Sequence, residues 1–79
     1  MIFVLSFNSS HEAISAEEAL ENLYSSRLIP LHPSISAGCG LALRLDVDDK
    51  AQLLRVLSEL KVIFDKAYIK NALGKYEVV

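Results

Sequence analysis

The stretch from Ile2 to Leu20, IFVLSFNSSHEAISAEEAL, decides the fold because it joins a strand to a helix across a short polar turn. Its first six residues are mostly apolar and rich in strand formers, which predicts a central strand over Ile2–Phe7 with both faces covered. Ser9 followed three residues later by Glu12 is a capping-box pattern, so a helix is predicted from about Ser10 to Ser25. The apolar residues at helical spacing, which face the sheet in this prediction, are Ala13, Ala16, Leu20, Leu23 and Tyr24.

The second and third predicted strands, Arg27–Leu31 and Leu41–Leu45, flank a loop that contains proline and glycine. Pro30 has no N–H to donate to a ladder, so the second strand belongs at an edge of the sheet or ends there. In the third strand, LALRL, the alternation points Arg44 away from the face that the three leucines share.

A second helix and a fourth strand complete the pattern. Asp46, in the segment DVDD, is the predicted N-cap of a helix that runs to about Leu60. A fourth strand is predicted over Ala67–Asn71, and the final KYEVV forms either a short extra strand or a tail. The buried stripe predicted for the second helix consists of Ala51, Leu53, Leu54, Leu57 and Leu60.

The order of elements is therefore β-α-β-β-α-β. Right-handed crossovers put both helices on one face of a four-stranded antiparallel sheet, which is a ferredoxin-like α+β two-layer sandwich. A length of 79 residues predicts a single domain, residues 1–79.

The composition argues against several classes of protein. A net charge of −2 gives no support to nucleic-acid binding. The apolar start, MIFVLSF, is too short to span a membrane and lacks the features of a secretion signal, so we expect a cytoplasmic protein. Four acids, the first Glu12 and the last Glu21, precede the first basic residue, Arg27. The first helix thus presents an acidic docking face or simply a solvated one.

Cys39 is the only cysteine, and two of the three glycines, Gly38 and Gly40, flank it. A lone cysteine is commonly a small buried apolar residue, and the glycines also suit a tight hairpin turn. In the alternative interpretation, the glycines clear a path to the sulfur and allow backbone N–H groups to form an anion-binding nest. Those N–H groups, or Arg44, would lower the pKa of the thiol and make it reactive.

Other chemistry finds little support in the sequence. His11, His32 and Cys39 have no recognisable ligand spacing, so no metal is predicted, and no cofactor either. His32 shares the loop with Cys39 and is kept as a second-line site residue, but a Cys/His catalytic pair would need a further orienting group. The residues by themselves therefore give little support to a stand-alone enzyme.

Three segments, FNSSHEAISAEEAL, LIP and ISAGCGLALRL, together resemble the selenium/sulfur carrier-like family of small domains. Its signature, Ile-Ser-x-x-Cys-Gly-Leu-Ala-Leu-Arg, is matched by Ile35, Ser36 and the run from Cys39 to Arg44. The chain departs from the family pattern upstream, where Pro33 stands in place of the arginine of Pro-x-Pro-Arg.

The resemblance implies that Cys39 holds sulfur or selenium as a persulfide or perselenide, surrounded by Ser36, Gly38, Gly40 and Arg44. The implied partners are an enzyme that donates the atom and a protein that accepts it. The alternative is a structural or regulatory interaction domain in which Cys39 is a turn or core residue. A homodimer paired through edge strands is compatible with either interpretation.

Overall fold

The structure, a computed structural model, describes residues 1–30 and 40–79. Two helices and five strands follow one another in these ranges. In chain order they are β1 (Ile2–Ser6), α1 (Ser10–Leu20), β2 (Ser25–Pro30), β3 (Leu41–Asp46), α2 (Lys50–Glu59), β4 (Ala67–Lys70) and β5 (Tyr76–Val78).

The strands form one antiparallel sheet in the order β2-β3-β1-β4-β5. The central position predicted for β1 is confirmed, since it pairs with β3 on one side and β4 on the other. The edge position predicted from Pro30 is also confirmed, because β2 pairs only with β3 among the described strands. The fold is the expected ferredoxin-like α+β sandwich, with β5 added beside β4.

Both helices pack on the same face of the sheet. Leu20 of α1 and Leu53 of α2 belong to one buried cluster with Phe3, Leu5 and Leu43 of the strands. The opposite face, called the open face below because neither helix lies on it, carries a smaller cluster of Val4, Ala42 and Tyr68, all three buried, with half-buried Ile29 against it. The sheet therefore has a thick core on its helix side and a thin apolar layer on its open side.

The start of α1 agrees with the prediction, but its end does not. The Ser9 hydroxyl accepts a hydrogen bond from the backbone N–H of Glu12 at 3.2 Å, while the Glu12 carboxylate accepts from the N–H of Asn8 at 3.3 Å. The helix stops at Leu20 rather than near Ser25. Its carbonyl at Leu20 accepts from two later N–H groups in a turn, and Ser25 already pairs with β3. The pairing of β2 with β3 shortens the helix.

Leu23, predicted on the buried face of α1, lies beyond the helix and is 56% exposed. Tyr24 is half-buried and packs against the core.

The N-cap of α2 is Asp49, so the prediction of Asp46 was wrong. The Asp49 carboxylate accepts hydrogen bonds from the N–H groups of Ala51 and Gln52, at 2.9 and 3.4 Å. Asp46 is instead the last residue of β3, opposite Ile2 of β1. β3 extends one residue beyond its predicted end at Leu45, and α2 therefore begins later than predicted.

The buried stripe of α2 is narrower than predicted. Leu53 and Leu57 are buried and Val56 is half-buried. These three positions are spaced three and four apart and so share one side of the helix. The predicted members Ala51, Leu54 and Leu60 are exposed. The small domain covers only one side of this helix.

Strand boundaries shift by one or two residues from the predicted ones. β1 ends one residue early at Ser6, and β4 ends at Lys70. β2 begins two residues early at Ser25, and its described part ends at Pro30.

In the described ranges, neither helix is long and apolar enough to cross a membrane.

Candidate functional site

The predicted site residues divide into two groups. Cys39, Ser36, Gly38 and His32 lie outside the described residues, so their roles stay predictions. Gly40 and Arg44 are described: Gly40 directly precedes β3, and Arg44 lies within it.

Gly40 is the residue bonded to Cys39 on its C-terminal side, and it has a backbone conformation that favours glycine. Its φ is +80°, in the left-handed region that L side chains rarely adopt. A Cβ added there would meet no heavy atom of the described residues within 4 Å. The backbone conformation therefore favours glycine at this position, and no side chain of the described residues crowds it.

The strands on either side of the undescribed segment are neighbours in the sheet. Pro30, the last described residue of β2, is paired with Leu41, the first residue of β3. This confirms that the second and third strands are antiparallel neighbours, as the fold required. The segment with Cys39 is thus attached at both ends to one end of the sheet.

The same end of the sheet is held together by Ser6, the last residue of β1. Ser6 is buried, and its hydroxyl accepts a hydrogen bond from the N–H of Lys66 at 3.1 Å. Its backbone N–H donates to the Lys66 carbonyl at 2.8 Å, and its carbonyl accepts from the N–H of Asp65 at 2.7 Å. These bonds join β1 to the start of β4. Because Ser6 is also paired with Ala42, the strand that follows Gly40 is hydrogen-bonded into the same end of the sheet.

His11 lies in the first turn of α1 and is exposed, as its position in the sequence predicts. It lines a cleft of about 240 Å³ between α1 and the chain after α2. Lys61 lies on the other side of this cleft. No described contact connects the cleft to Gly40, so we assign it no ligand.

Arg44 is exposed on the open face of β3, opposite to the leucine face, which confirms its predicted orientation. Four residues of strand at about 3.3 Å each separate it from Gly40 by roughly 13 Å. Its influence on the pKa of Cys39 stays a prediction.

Sequence reasoning missed Arg27 as a neighbour of Arg44. The two residues are directly opposite each other in the ladder between β2 and β3. The signal was present in the chain, since both predicted strands contain one arginine, but the strand register was needed to pair them.

The described residues show no second kind of site. Among them no three His, Cys, Asp or Glu residues converge as metal ligands. Within the same ranges every buried side-chain nitrogen and oxygen has a hydrogen-bond partner, so no buried polar atom awaits a ligand.

Comparison with curated proteins and with solved structures gave no significant match. A family model does match, over residues 3–69, which reach from β1 to β4 and include Cys39. Its description is "Putative Se/S carrier protein-like". This match spans most of the chain, and the protein therefore belongs to the Se/S carrier protein-like family.

Proposed function

We propose that this protein carries a sulfur or selenium atom on Cys39 and passes it to an acceptor protein. The observation that carries the proposal is the family match, because the matched range contains the only cysteine of the chain. The family description speaks of selenium or sulfur carriage, and a sulfur-containing side chain is the natural place to attach either atom.

The proposed transfer is a thiol–persulfide exchange without net oxidation. The Cys39 thiolate attacks the terminal sulfur of a persulfide on the donor enzyme, forming a new S–S bond as the donor's S–S bond breaks. The donor sulfur leaves as a thiolate and takes up a proton. An acceptor thiolate then repeats the attack on the Cys39 persulfide, which restores the Cys39 thiolate. Selenium follows the same sequence of bonds.

For such an exchange the carrier needs a cysteine sulfur that the partner can reach and that is present as a thiolate. None of the described residues crowds the position of a Gly40 Cβ, which would leave a donor cysteine room to approach from that side. The described sheet end gives the segment firm attachment points at Pro30 and Leu41. Since the reacting partner is supplied by another protein, we infer that this chain acts as a co-substrate and not as an enzyme.

The donor and the acceptor would dock on the surface around the thiol. The acidic side of α1 is a candidate for a second docking contact further away, since Glu18 and Glu21 are exposed and the last turn of α1 contains no basic residue. This end of α1 leads to Ser25, at the end of the sheet opposite to Gly40. The substitution of Pro33 for the family's arginine removes one cation that such partners could use.

Thiol-labelling kinetics test this proposal against the interaction-domain alternative. The rate of alkylation of native Cys39 would be measured as a function of pH, with the unfolded chain as reference. An ordinary cysteine has a pKa of about 8.5. A carrier thiol should label quickly in the native state, with a pKa below that value. Native labelling far slower than that of the unfolded chain would show a covered cysteine and favour the alternative.

A further inference from the structure

We propose that the open face of the sheet, centred on Arg27 and Arg44, is a docking surface for an acidic surface of a partner protein. We call it the arginine face and define it by exposed Arg27 and Arg44 and by half-buried Ile29 beside them. That the partner is a sulfur donor or acceptor rests on the proposed function, whereas the binding of acidic groups does not.

The first argument is the placement of two like charges. Arg27 and Arg44 are directly opposite across antiparallel strands, where Cβ atoms are about 4.5–5.5 Å apart and like charges destabilise the sheet. Neither guanidinium forms an ion pair or a hydrogen bond with the other described residues. A carboxylate placed between them would turn this repulsion into two charge-assisted contacts.

The second argument is the charge balance of the whole face. Strand alternation adds Lys70 to the arginines, and Asp46 is the one acid that it puts on this face of the described strands. The Asp46 carboxylate lies 3.7 Å from the Met1 amine, which offsets its charge. The face is therefore net positive in a protein whose total charge is −2.

The third argument is a half-buried apolar side chain beside the arginines. Val4, next to Arg44 in the same cross-strand row, and Tyr68, next to Val4, are both buried. Ile29 is half-buried and lies two residues from Arg27 on the same side of β2. Arginine is enriched at protein interfaces, where an apolar contact accompanies it. Arg27 and Arg44 with Ile29 therefore fit the carboxylate-bearing surface of a protein.

The arginine face is also within reach of the segment that carries Cys39. A typical interface buries about 800 Å² on each partner, equivalent to a disc of roughly 16 Å radius. Gly40 lies roughly 13 Å along β3 from Arg44. A partner centred on the arginines would therefore also cover Gly40, as sulfur transfer at the neighbouring Cys39 requires.

Two other occupants fit less well. A nucleic acid would meet three basic side chains of the described strands on this face and would be repelled by the net negative charge of the protein. A second copy could offer its acidic α1, but α1 lies on the opposite side of the sandwich. Such a contact is head-to-tail and would produce rings or open chains of molecules rather than a symmetric dimer.

The test is a titration of the isotopically labelled Cys39→Ser protein with poly-L-glutamate of defined length, followed by NMR. The amide signals that move most should belong to β2 and β3. The charge reversal Arg27→Glu with Arg44→Glu should raise the dissociation constant at least tenfold. The matched control reverses Lys50 and Arg55, two exposed cations of α2, and should change it less than threefold.

Several results would overturn the docking proposal. They are the absence of saturable binding, signal changes centred on α2, or an equal loss of binding in the control variant. Tighter binding of a single-stranded oligothymidine would make the face a nucleic-acid site, and a dimer that the Arg27 and Arg44 reversals dissociate would assign it to a second copy. Because Cys39 is absent from this experiment, its outcome is independent of whether the protein carries sulfur.

Discussion

Arg44 of β3 lies directly opposite Arg27 of β2, so two exposed guanidinium groups project from neighbouring positions on the open face of the sheet. A cross-strand pair of like charges lowers stability, while an opposite-charge pair raises it. The arrangement is unfavourable for the isolated domain and favourable for binding carboxylates. It therefore leads to predictions about stability as well as about docking.

Arg44→Glu should stabilise the protein by about 0.2–1 kcal/mol, because it replaces a repulsive pair with an attractive one. Urea unfolding at low salt measures this change. Arg44→Gln is the control, and it should gain less because it only removes the repulsion. Added salt should shrink the difference between the Glu and Gln variants. A destabilised Arg44→Glu protein would show that the two side chains do not interact as the register indicates.

Gly40→Ala should cost about 1–2 kcal/mol of stability, since an L side chain is strained at a φ of +80°. The structure offers a matched control in Gly74, which has a φ of +81° in the turn before β5. Both alanine variants should lose similar stability in urea unfolding. Only Gly40→Ala should change the labelling rate of Cys39. Equal labelling rates in both variants would argue against a role for Gly40 in presenting the thiol.

Asp49→Ala should destabilise the protein by about 1 kcal/mol, because it removes the acceptor for two N–H groups at the start of α2. Asp46→Ala should cost less, since its exposed carboxylate only lies near the Met1 amine. Thermal or urea unfolding of the two variants compares them directly. A larger loss of stability in Asp46→Ala than in Asp49→Ala would indicate that Asp46 is the N-cap.

Lys61→Gly should stabilise the protein by roughly 1 kcal/mol. Lys61 has a φ of 54° just after α2, at the position where glycine is preferred. There its N–H donates to the Ser58 carbonyl, and the next N–H, of Val62, donates to the Leu57 carbonyl. Lys61→Ala keeps a Cβ and should leave the free energy of unfolding nearly unchanged. A gain of the same size in both variants would assign the effect to the lost charge.

The sequence predicted the order of elements because local patterns specify it strongly. The apolar run of β1 and the pairing of Ser9 with Glu12 depend only on nearby residues, and both appear in the structure. Asp46 and Asp49 were harder to separate, since every aspartate in DVDD suits an N-cap. The choice depends on where the ladder between β1 and β3 ends, which is a tertiary contact.

Only part of the candidate site could be predicted from the sequence. Cys39 could be selected because it is the only cysteine and has glycine on both sides. The pair of Arg27 and Arg44 could not be selected, because pairing them needs the strand register. That register goes with long-range packing, since Leu28 of β2 and Leu43 of β3 both contact the helix-side core.

The most direct test of the central claim is the intact mass of the protein after incubation with a cysteine desulfurase and free cysteine. The account predicts a gain of the mass of one sulfur atom, located on the peptide that contains Cys39 and removed by a reducing thiol. Cys39→Ser should show no gain. An unchanged mass in the unsubstituted protein, with Cys39 still open to alkylation, would contradict the account.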